Sequence, residues 1–282
     1  MELTLEYIRS LLPVRDPNGH KGTFGRVLCV CGSVGYTGAP VFAGRAAVRT
    51  GSGLVFLTVP RSIWQVVAVK SDEAMPFPVE DAEGKLSLAA ETAIRERAAG
   101  CDAVLLGCGL GRSEETDKLS RRLLTIAKPL LLDADGINAL TGHIDTLEHR
   151  RGLPTVLTPH EGEFARIGDL TPGREKAALQ FAREHGVVLV LKGPRTVIAA
   201  PDGRMAVNPT GNCGMAKGGS GDVLSGMVLS LLGQRMDAFD AACCGVYLHG
   251  LAGDLAAREK TQYAMTPTDM IEHIPNASKE ML

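Results

Sequence analysis

Residues Asn208 to Asp222, Asn-Pro-Thr-Gly-Asn-Cys-Gly-Met-Ala-Lys-Gly-Gly-Ser-Gly-Asp, place five glycines and a terminal aspartate just ahead of a helical pattern. The helix is read from Val223, Leu224, Met227, Val228, Leu231 and Leu232, with Gly233 as its stop. Glycines at that junction let the backbone approach an anion and aim free N–H groups at it, and the helix dipole favours phosphate. An acid in a purely passive anion hole would repel phosphate. Asp222 fits either as a first-turn acid stabilised by about 0.3–1 kcal/mol, or as a base taking a proton from a hydroxyl that attacks the phosphate. The glycine density favours the base, because Gly218, Gly219 and Gly221 each cost chain entropy that no stability argument requires.

Other groups with chemical potential stand where apolar runs end. Asp133 and Asp135 could serve a metal, a hydroxyl or the cap of a helix over Gly136–Leu140. His160 and Glu163 lie three residues apart after Thr158-Pro159, as a same-face pair or as a capping box with an incidental histidine. Lys192 can reach a phosphate or carry its ammonium out to water. Gly107-Cys-Gly-Leu-Gly111 is a tight turn or a ligand loop, but Arg112 breaks the dinucleotide fingerprint, and no segment matches a P-loop.

These groups need a sheet to gather them. Strands are expected at Arg26–Cys31, Gly53–Pro60, Asp102–Gly107, Pro129–Asp133, Thr155–Thr158 and Val187–Leu191, the last apolar enough to be buried on both faces. Helical patterns intervene: Ala39–Thr50, rich in small residues for close packing on the sheet, Glu114–Ala127 and Arg174–His185. The alternation predicts an α/β fold with a mostly parallel sheet between helices. A hairpin of Thr196–Ala200 and Arg204–Val207 should close one edge, and a long helix should cover Asp237–Arg258, carrying Tyr247, His249, Gly250 and Asp254. In such sheets ligands sit beyond the carboxyl ends of the strands, where Gly32, Gly107, Asp133, His160 and Lys192 fall.

With 282 residues and 45% hydrophobic composition the chain can bury a large core, and no linker or repeat divides it, so one domain over 1–282 is expected. A net charge of −2 and the lack of a basic block with aromatics argue against nucleic acid. The seven cysteines form no C-x-x-C pair and read as reduced thiols. No apolar run reaches the length of a membrane span and no secretion signal is read, so the expectation is a cytoplasmic protein without a membrane partner.

Gly-Gly-Ser-Gly-Asp222 before a helix resembles the anion-hole and base motif of the ribokinase-like superfamily. Lys21–Arg26, Gly35–Ala39, Leu131–Asp135, Thr158–His160 with Gly162–Phe164, Leu191–Gly193 and Gly211–Ala216 are together similar to the ADP/ATP-dependent NAD(P)H-hydrate dehydratases, in order over residues 20–255. The resemblance implies a ribokinase-like three-layer fold. It implies Asp222 as general base and Ala39, Gly109, His160 and Asp222 as contacts of the hydrated dinucleotide. Lys192, Gly193, Pro194, Arg195 and Thr196, with Asn208, Gly218, Gly219, Ser220 and Gly221, would form the nucleotide site. Glu163 would organise Mg²⁺ through water or phosphate. His160 stands where the superfamily's kinases carry Asn, as in the dehydratases. Cys213 and Glu161 depart from the usual prolines and Lys217 from a common threonine, which sets a cation beside the phosphate loop and leaves nucleotide preference open.

The implied activity is dehydration of the S-epimer of hydrated NADH or NADPH, with AMP and phosphate released: a lyase with a kinase-like first half. ADP is expected as donor and ATP is the alternative. A homotetramer is expected from the resemblance alone. Two rivals stand beside it: a kinase of a small alcohol such as a thiazole or hydroxymethylpyrimidine, and a non-catalytic nucleotide-binding module. His160 and Gly35–Ala39 speak against the first, and the intact base and glycine loop against the second.

Overall fold

The computed structural model describes residues 1–281. Its strands are β1 (Arg26–Val30), β2 (Leu54–Pro60), β3 (Met75–Val79), β4 (Asp81–Ala82), β5 (Lys85–Leu86), β6 (Ala103–Leu106), β7 (Leu130–Leu132), β8 (Thr155–Leu157), β9 (Val188–Leu191), β10 (Val197–Ala199) and β11 (Met205–Val207). Nine of them form one sheet in the order β11-β10-β9-β8-β7-β6-β1-β2-β3, and β4 and β5 make a separate small hairpin. From β9 across to β3 every pairing is parallel, while β10 runs antiparallel to both its neighbours. The carboxyl ends of β1, β6, β7, β8 and β9 therefore share one rim, because parallel neighbours all end on the same side.

The helices are α1 (Leu5–Leu11), α2 (Gly38–Arg49), α3 (Trp64–Val69), α4 (Glu91–Ala99), α5 (Glu114–Leu123), α6 (Asp135–Asn138), α7 (Glu161–Phe164), α8 (Arg174–His185), α9 (Ser220–Gly233), α10 (Ala238–Ala264) and α11 (Pro267–Met281). Side-chain alternation along the strands assigns them to two layers. In β1, Val27 and Cys29 enter one apolar core and Leu28 and Val30 the other; in β9, Val188 and Val190 oppose Leu189 and Leu191 in the same way. The first core is shared with α2, α9, α10 and α11, through Ala43, Val223, Phe239 and Ile271 among others. The second is shared with α4, α5 and α8 through Ile94, Leu119 and Phe181. This is the expected three-layer α/β arrangement. The small residues of α2, Ala43, Ala46 and Ala47, are fully buried in the first core as their type foretold.

Differences from the sequence reading lie at edges and ends. Met75-Pro-Phe-Pro-Val79 forms edge strand β3 although it carries two prolines, because an edge strand has N–H groups that need no ladder partner. Helix α5 stops at Leu123 rather than Ala127. Helix α10 continues beyond Arg258 to Ala264 across a break at Thr261, whose φ is 70°. Helix α11 follows it, with Pro275 inside and Met270, Ile274 and Ala277 buried.

Candidate active site

Asp133 leaves the carboxyl end of β7 with its side chain buried, and four donors converge on it. Its Oδ1 accepts from Lys192 Nζ and from Thr158 Oγ1, each at 2.8 Å. Its Oδ2 accepts from Ser225 Oγ at 2.9 Å and faces Cys108 Sγ at 3.6 Å. Burial pushes the Asp133 carboxyl up, but Lys192 and the two hydroxyls more than offset it and hold the carboxyl below the usual aspartate value. Burial likewise pulls the Lys192 ammonium down, and the charges of Asp133 and Glu163 return it above its ordinary value. Asp133 is thereby the fixed centre of a charged network. Ala134 follows at φ 45° and ψ −114°, a costly conformation for a residue with Cβ, and one that parts the two aspartates. Asp135 turns to the glycine loop, its Oδ2 accepting from Gly111 N at 2.9 Å.

That loop must pass tightly over β7. A Cβ on Gly107 would lie 1.8 Å from Asp133 O, so no larger residue fits there. Cys108 follows with its thiol buried, and then Gly109 at φ 63°, where a Cβ would stand 2.9 Å from the Cβ atoms of both Ala39 and Tyr36. Ala39 and Gly109, expected on the substrate side, are thereby brought into contact.

Asp222 sits in the first turn of α9 after Gly219, the cap residue, at φ 100°. The Ser220 N–H turns back to Lys217 O at 3.2 Å, while the amides of Gly221 and Asp222 meet no backbone acceptor among the described residues. They are the free N–H groups that the dipole argument requires. A Cβ on Gly221 would stand 3.6 Å from Lys192 Nζ and 3.7 Å from Asp133 Oδ2, so the glycine loop and the lysine end in one place. The Asp222 carboxyl is pushed up to about 6, by burial first and then by the charge of Asp133, with Cys108 and Lys192 pulling the other way.

The loop is held from α10. Asp254 accepts from Gly211 N and Asn212 Nδ2, both at 2.9 Å, and the carbonyl of Tyr247 accepts from Thr210 Oγ1 at 3.0 Å. His249 Nε2 lies 2.9 Å from Ser220 O. A carbonyl can only accept, so the ring carries its proton on Nε2. Burial pulls its pKa down to about 4, which leaves the ring neutral near pH 7. Lys217 is placed otherwise than expected: its Nζ donates to the carbonyls of Tyr263, at 2.7 Å, and Met265. It fastens the loop to the α10–α11 junction.

His160 caps α7: its Nδ1 accepts from Glu163 N at 3.2 Å, and Glu163 Oε2 accepts from His160 N at 2.9 Å. A capping box forms here, but His160 is its cap residue and not incidental to it, and the box does not exhaust the pair. Glu163 Oε2 is also 3.8 Å from Lys192 Nζ, and the His160 side chain is 57% exposed toward solvent. His160 therefore joins the cluster through Glu163 and Lys192. Lys192 enters the network, whereas Arg195, at φ 55°, pairs with Glu2 at 2.7 Å on the exposed edge. Thr196 Oγ1 closes a turn onto Gly193 O at 3.0 Å. Asn208 is buried, its Nδ2 donating to Thr210 O at 3.0 Å, and it shapes the loop entry.

The residues fit a magnesium ion in one way. Asp133 has both oxygens engaged, one by an ammonium, and Cys108 is a poor ligand for so hard a cation. Glu163 is a hard carboxylate on the lysine rim, in the setting where Mg²⁺ keeps its waters and bridges to phosphate. Sequence reasoning missed Cys108, Ser225, Thr158 and His249 as parts of the site. Only the strand-end position of Cys108 and the placing of His249 on a small-residue helix pointed toward them.

A family model described as NAD(P)H-hydrate dehydratase matches residues 27–276. The chain is 45% identical over 280 residues to a bifunctional NAD(P)H-hydrate repair enzyme of Moorella thermoacetica, covering 97% of this chain and 53% of that one. The chain thus spans about half the length of the first curated relatives it matches. An ADP-dependent (S)-NAD(P)H-hydrate dehydratase of Bacillus subtilis is 34% identical over 281 residues, with 98% of this chain and 97% of that one covered. The crystal structure of a B. subtilis ADP/ATP-dependent NAD(P)H-hydrate dehydratase, co-crystallised with ATP/Mg²⁺, superposes with a TM-score of 0.82 at 32% identity, covering 99% and 98% of the two chains. A ribokinase-like superfamily protein of Enterococcus faecalis does so at 0.86 and 25%, covering 99% and 95%.

Proposed function

Because this chain belongs to the NAD(P)H-hydrate dehydratase family, we propose that it dehydrates the S-epimer of hydrated NADH or NADPH at the expense of ADP. The observation that carries the reading is the meeting of a half-buried carboxylate poised near 6, the free amides of an α9 N-terminus and the Lys192 ammonium. Asp222 takes the proton of the C6 hydroxyl as its oxygen attacks the terminal phosphorus of ADP, and AMP leaves. Loss of phosphate from C6 and of a proton from C5 then restores the reduced ring. The amides of Gly221 and Asp222, with Gly218, Gly219 and Ser220 shaping the turn, stabilise charge on the transferred phosphoryl group. Lys192 adds a fixed cation. Mg²⁺, held through water by Glu163, would neutralise charge between the phosphates.

Ala39, Gly109 and His160 form the dinucleotide side of the cleft, and the Lys192–Thr196 turn with Asn208 the nucleotide side. The nine-stranded sheet that runs from β11 to β3 supports one catalytic unit. The same reading carries ADP in preference to ATP, a cytoplasmic location and a homotetramer, the last checked by light scattering. Among the described residues no helix is long and apolar enough to cross a membrane.

The test adds protein, Mg²⁺ and ADP to hydrated NADH and follows recovery of the reduced-nicotinamide absorbance. Recovery with AMP and phosphate formed in equal amounts supports the proposal. No recovery with either ADP or ATP removes it. Formation of a stable phosphomonoester from a small alcohol would favour the kinase reading instead.

A further inference from the structure

His249 touches the glycine loop and takes no part in the proton or phosphoryl steps derived above. It stands on α10, which lies against the loop at backbone distance. A Cβ on Gly250 would stand 2.1 Å from Thr210 Oγ1, and one on Gly253 would stand 2.4 Å from Met215 Sδ. The hydrogen bonds of Thr210 to Tyr247 O and of Gly211 and Asn212 to Asp254 hold the two segments in register. The imidazole is thereby set with Nε2 at 2.9 Å from Ser220 O.

The carbonyl that it reaches belongs to the first peptide unit of α9, which joins Ser220 C=O to Gly221 N–H. A trans peptide is planar, so placing its oxygen also aims its N–H, in the opposite direction. Gly221 has no Cβ and lets this unit turn more freely than a residue with a side chain would. The Gly221 amide meets no backbone acceptor among the described residues, and its residue stands beside the Lys192 ammonium. A hydrogen bond accepted by the carbonyl further polarises the unit and strengthens its N–H as a donor.

We infer that His249 is a positioning residue for phosphoryl transfer, its Nε2–H bond to Ser220 O fixing the Ser220–Gly221 peptide so that the Gly221 N–H is held ready for the phosphoryl oxygens. The inference deepens the dehydratase reading and rests on it for the group transferred, though not for the aim of the amide. The ring suits the task because it stays neutral. Burial pulls its pKa down to about 4, with the Ser220 carbonyl acting against that shift and the Lys192 charge adding to it. A neutral imidazole has one N–H, and the carbonyl claims it. It orients the amide without adding a second cation beside Lys192.

The test compares His249→Leu, which removes the donor, with His249→Gln and His249→Asn. A glutamine amide extends to the place of Nε2, whereas an asparagine amide stops near that of Nδ1. Protein labelled with ¹⁵N-glycine is titrated with inorganic phosphate in the absence of substrate, and the Gly221 amide signal is assigned by its loss in Gly221→Ala. In wild type that signal should move as phosphate binds. At saturation it should move less than about half as far in the leucine and asparagine variants, as a weakened, misaligned hydrogen bond requires, and the glutamine variant should restore the shift. A wild-type Gly221 signal that ignores phosphate, or equal shifts in all three variants, overturns the inference. If the leucine variant does not fold, glutamine against asparagine decides alone: a larger shift with glutamine supports the inference, and equal shifts overturn it. Because this titration needs no turnover, its failure and a failure of hydrate repair are told apart. Where repair is observed, kcat should fall about tenfold in the leucine and asparagine variants, less than loss of an oxyanion donor outright. The KM for ADP should stay within about threefold, and glutamine should recover kcat. Equal kcat in the glutamine and asparagine variants, both folded, would mean that His249 only fastens α10 to the loop, and would overturn the inference.

Discussion

Lys192 Nζ lies 2.8 Å from Asp133 Oδ1, at the end of β7, and 3.8 Å from Glu163 Oε2, on α7, so its ammonium is set between two carboxylates of different elements. Lys192→Met keeps the stem and removes the charge. Asp133 then remains buried without its counter-ion, which costs roughly 3 kcal/mol for a pair of this kind. The sign follows from the lowered pKa of Asp133. Its ionisation stabilises the fold above the ordinary aspartate value of about 4, and that contribution is lost as pH falls through the folded value. Urea denaturation should therefore show a large gap between variant and wild type at pH 7 that narrows near pH 3. A gap independent of pH would mean that Lys192 acts by packing alone.

Asp222 has the opposite sign. Its carboxyl is raised to about 6, so the folded state favours the protonated form. That contribution to stability is full below the unfolded value near 4 and is lost as pH rises through 6. Asp222→Asn should accordingly abolish turnover yet stabilise the protein at pH 8 by on the order of 2 kcal/mol, with little change at pH 4. Wild-type kcat/KM should fall below pH 6, since only the ionised form is a base. Retained turnover in the Asn variant would remove Asp222 as the base.

The sheet was legible because β1, β6, β8 and β9 are apolar on both faces and are separated by helical patterns. The edges were not. Strand β3 hides behind Pro76 and Pro78, and α11 behind Pro267 and Pro275, residues that argue against an element except at an edge or a first turn. At the site, Asp222 stood out through the glycines before its helix, and His160 and Lys192 through residue type and strand-end position. What spacing could not convey was partnership. Asp133 is held by residues from four segments, Thr158, Lys192, Ser225 and Cys108, and only the folded rim brings these together. Cys108 was read only as one residue of the Gly107–Gly111 turn.

Lys217 illustrates the same limit from the other side. Beside the phosphate loop in sequence, its Nζ is spent on the carbonyls of Tyr263 and Met265. Lys217→Met should leave the preference between ADP and ATP unchanged to within about twofold, under 0.5 kcal/mol. It should instead speed amide hydrogen exchange over residues 261–267, where the lost bonds lie. A changed ADP/ATP ratio without faster exchange would return Lys217 to the nucleotide site.

Arg150 is fully buried and pairs with no carboxylate among the described residues. Its guanidinium donates to Thr155 Oγ1 at 3.0 Å and to the carbonyls of Leu124 at 3.1 Å, Lys128 at 2.7 Å, Pro154 at 3.3 Å and Ile126. Burial pulls its pKa down to about 10, so it is charged at pH 7 and solvated by the chain itself. One side chain thus ties the entrances of β7 and β8 together, at the amino ends of the strands that deliver Asp133 and Thr158 at the other. Arg150→Met leaves those carbonyls without donors and should cost roughly 3–5 kcal/mol. Arg150→Lys should recover little, because an ammonium cannot reach five acceptors set for a planar fork. The damage lies across the sheet from the cleft, so kcat measured on protein still folded at low temperature should stay within about twofold of wild type, under 0.5 kcal/mol in barrier. A large loss of kcat with unchanged stability would place Arg150 in the site's own machinery.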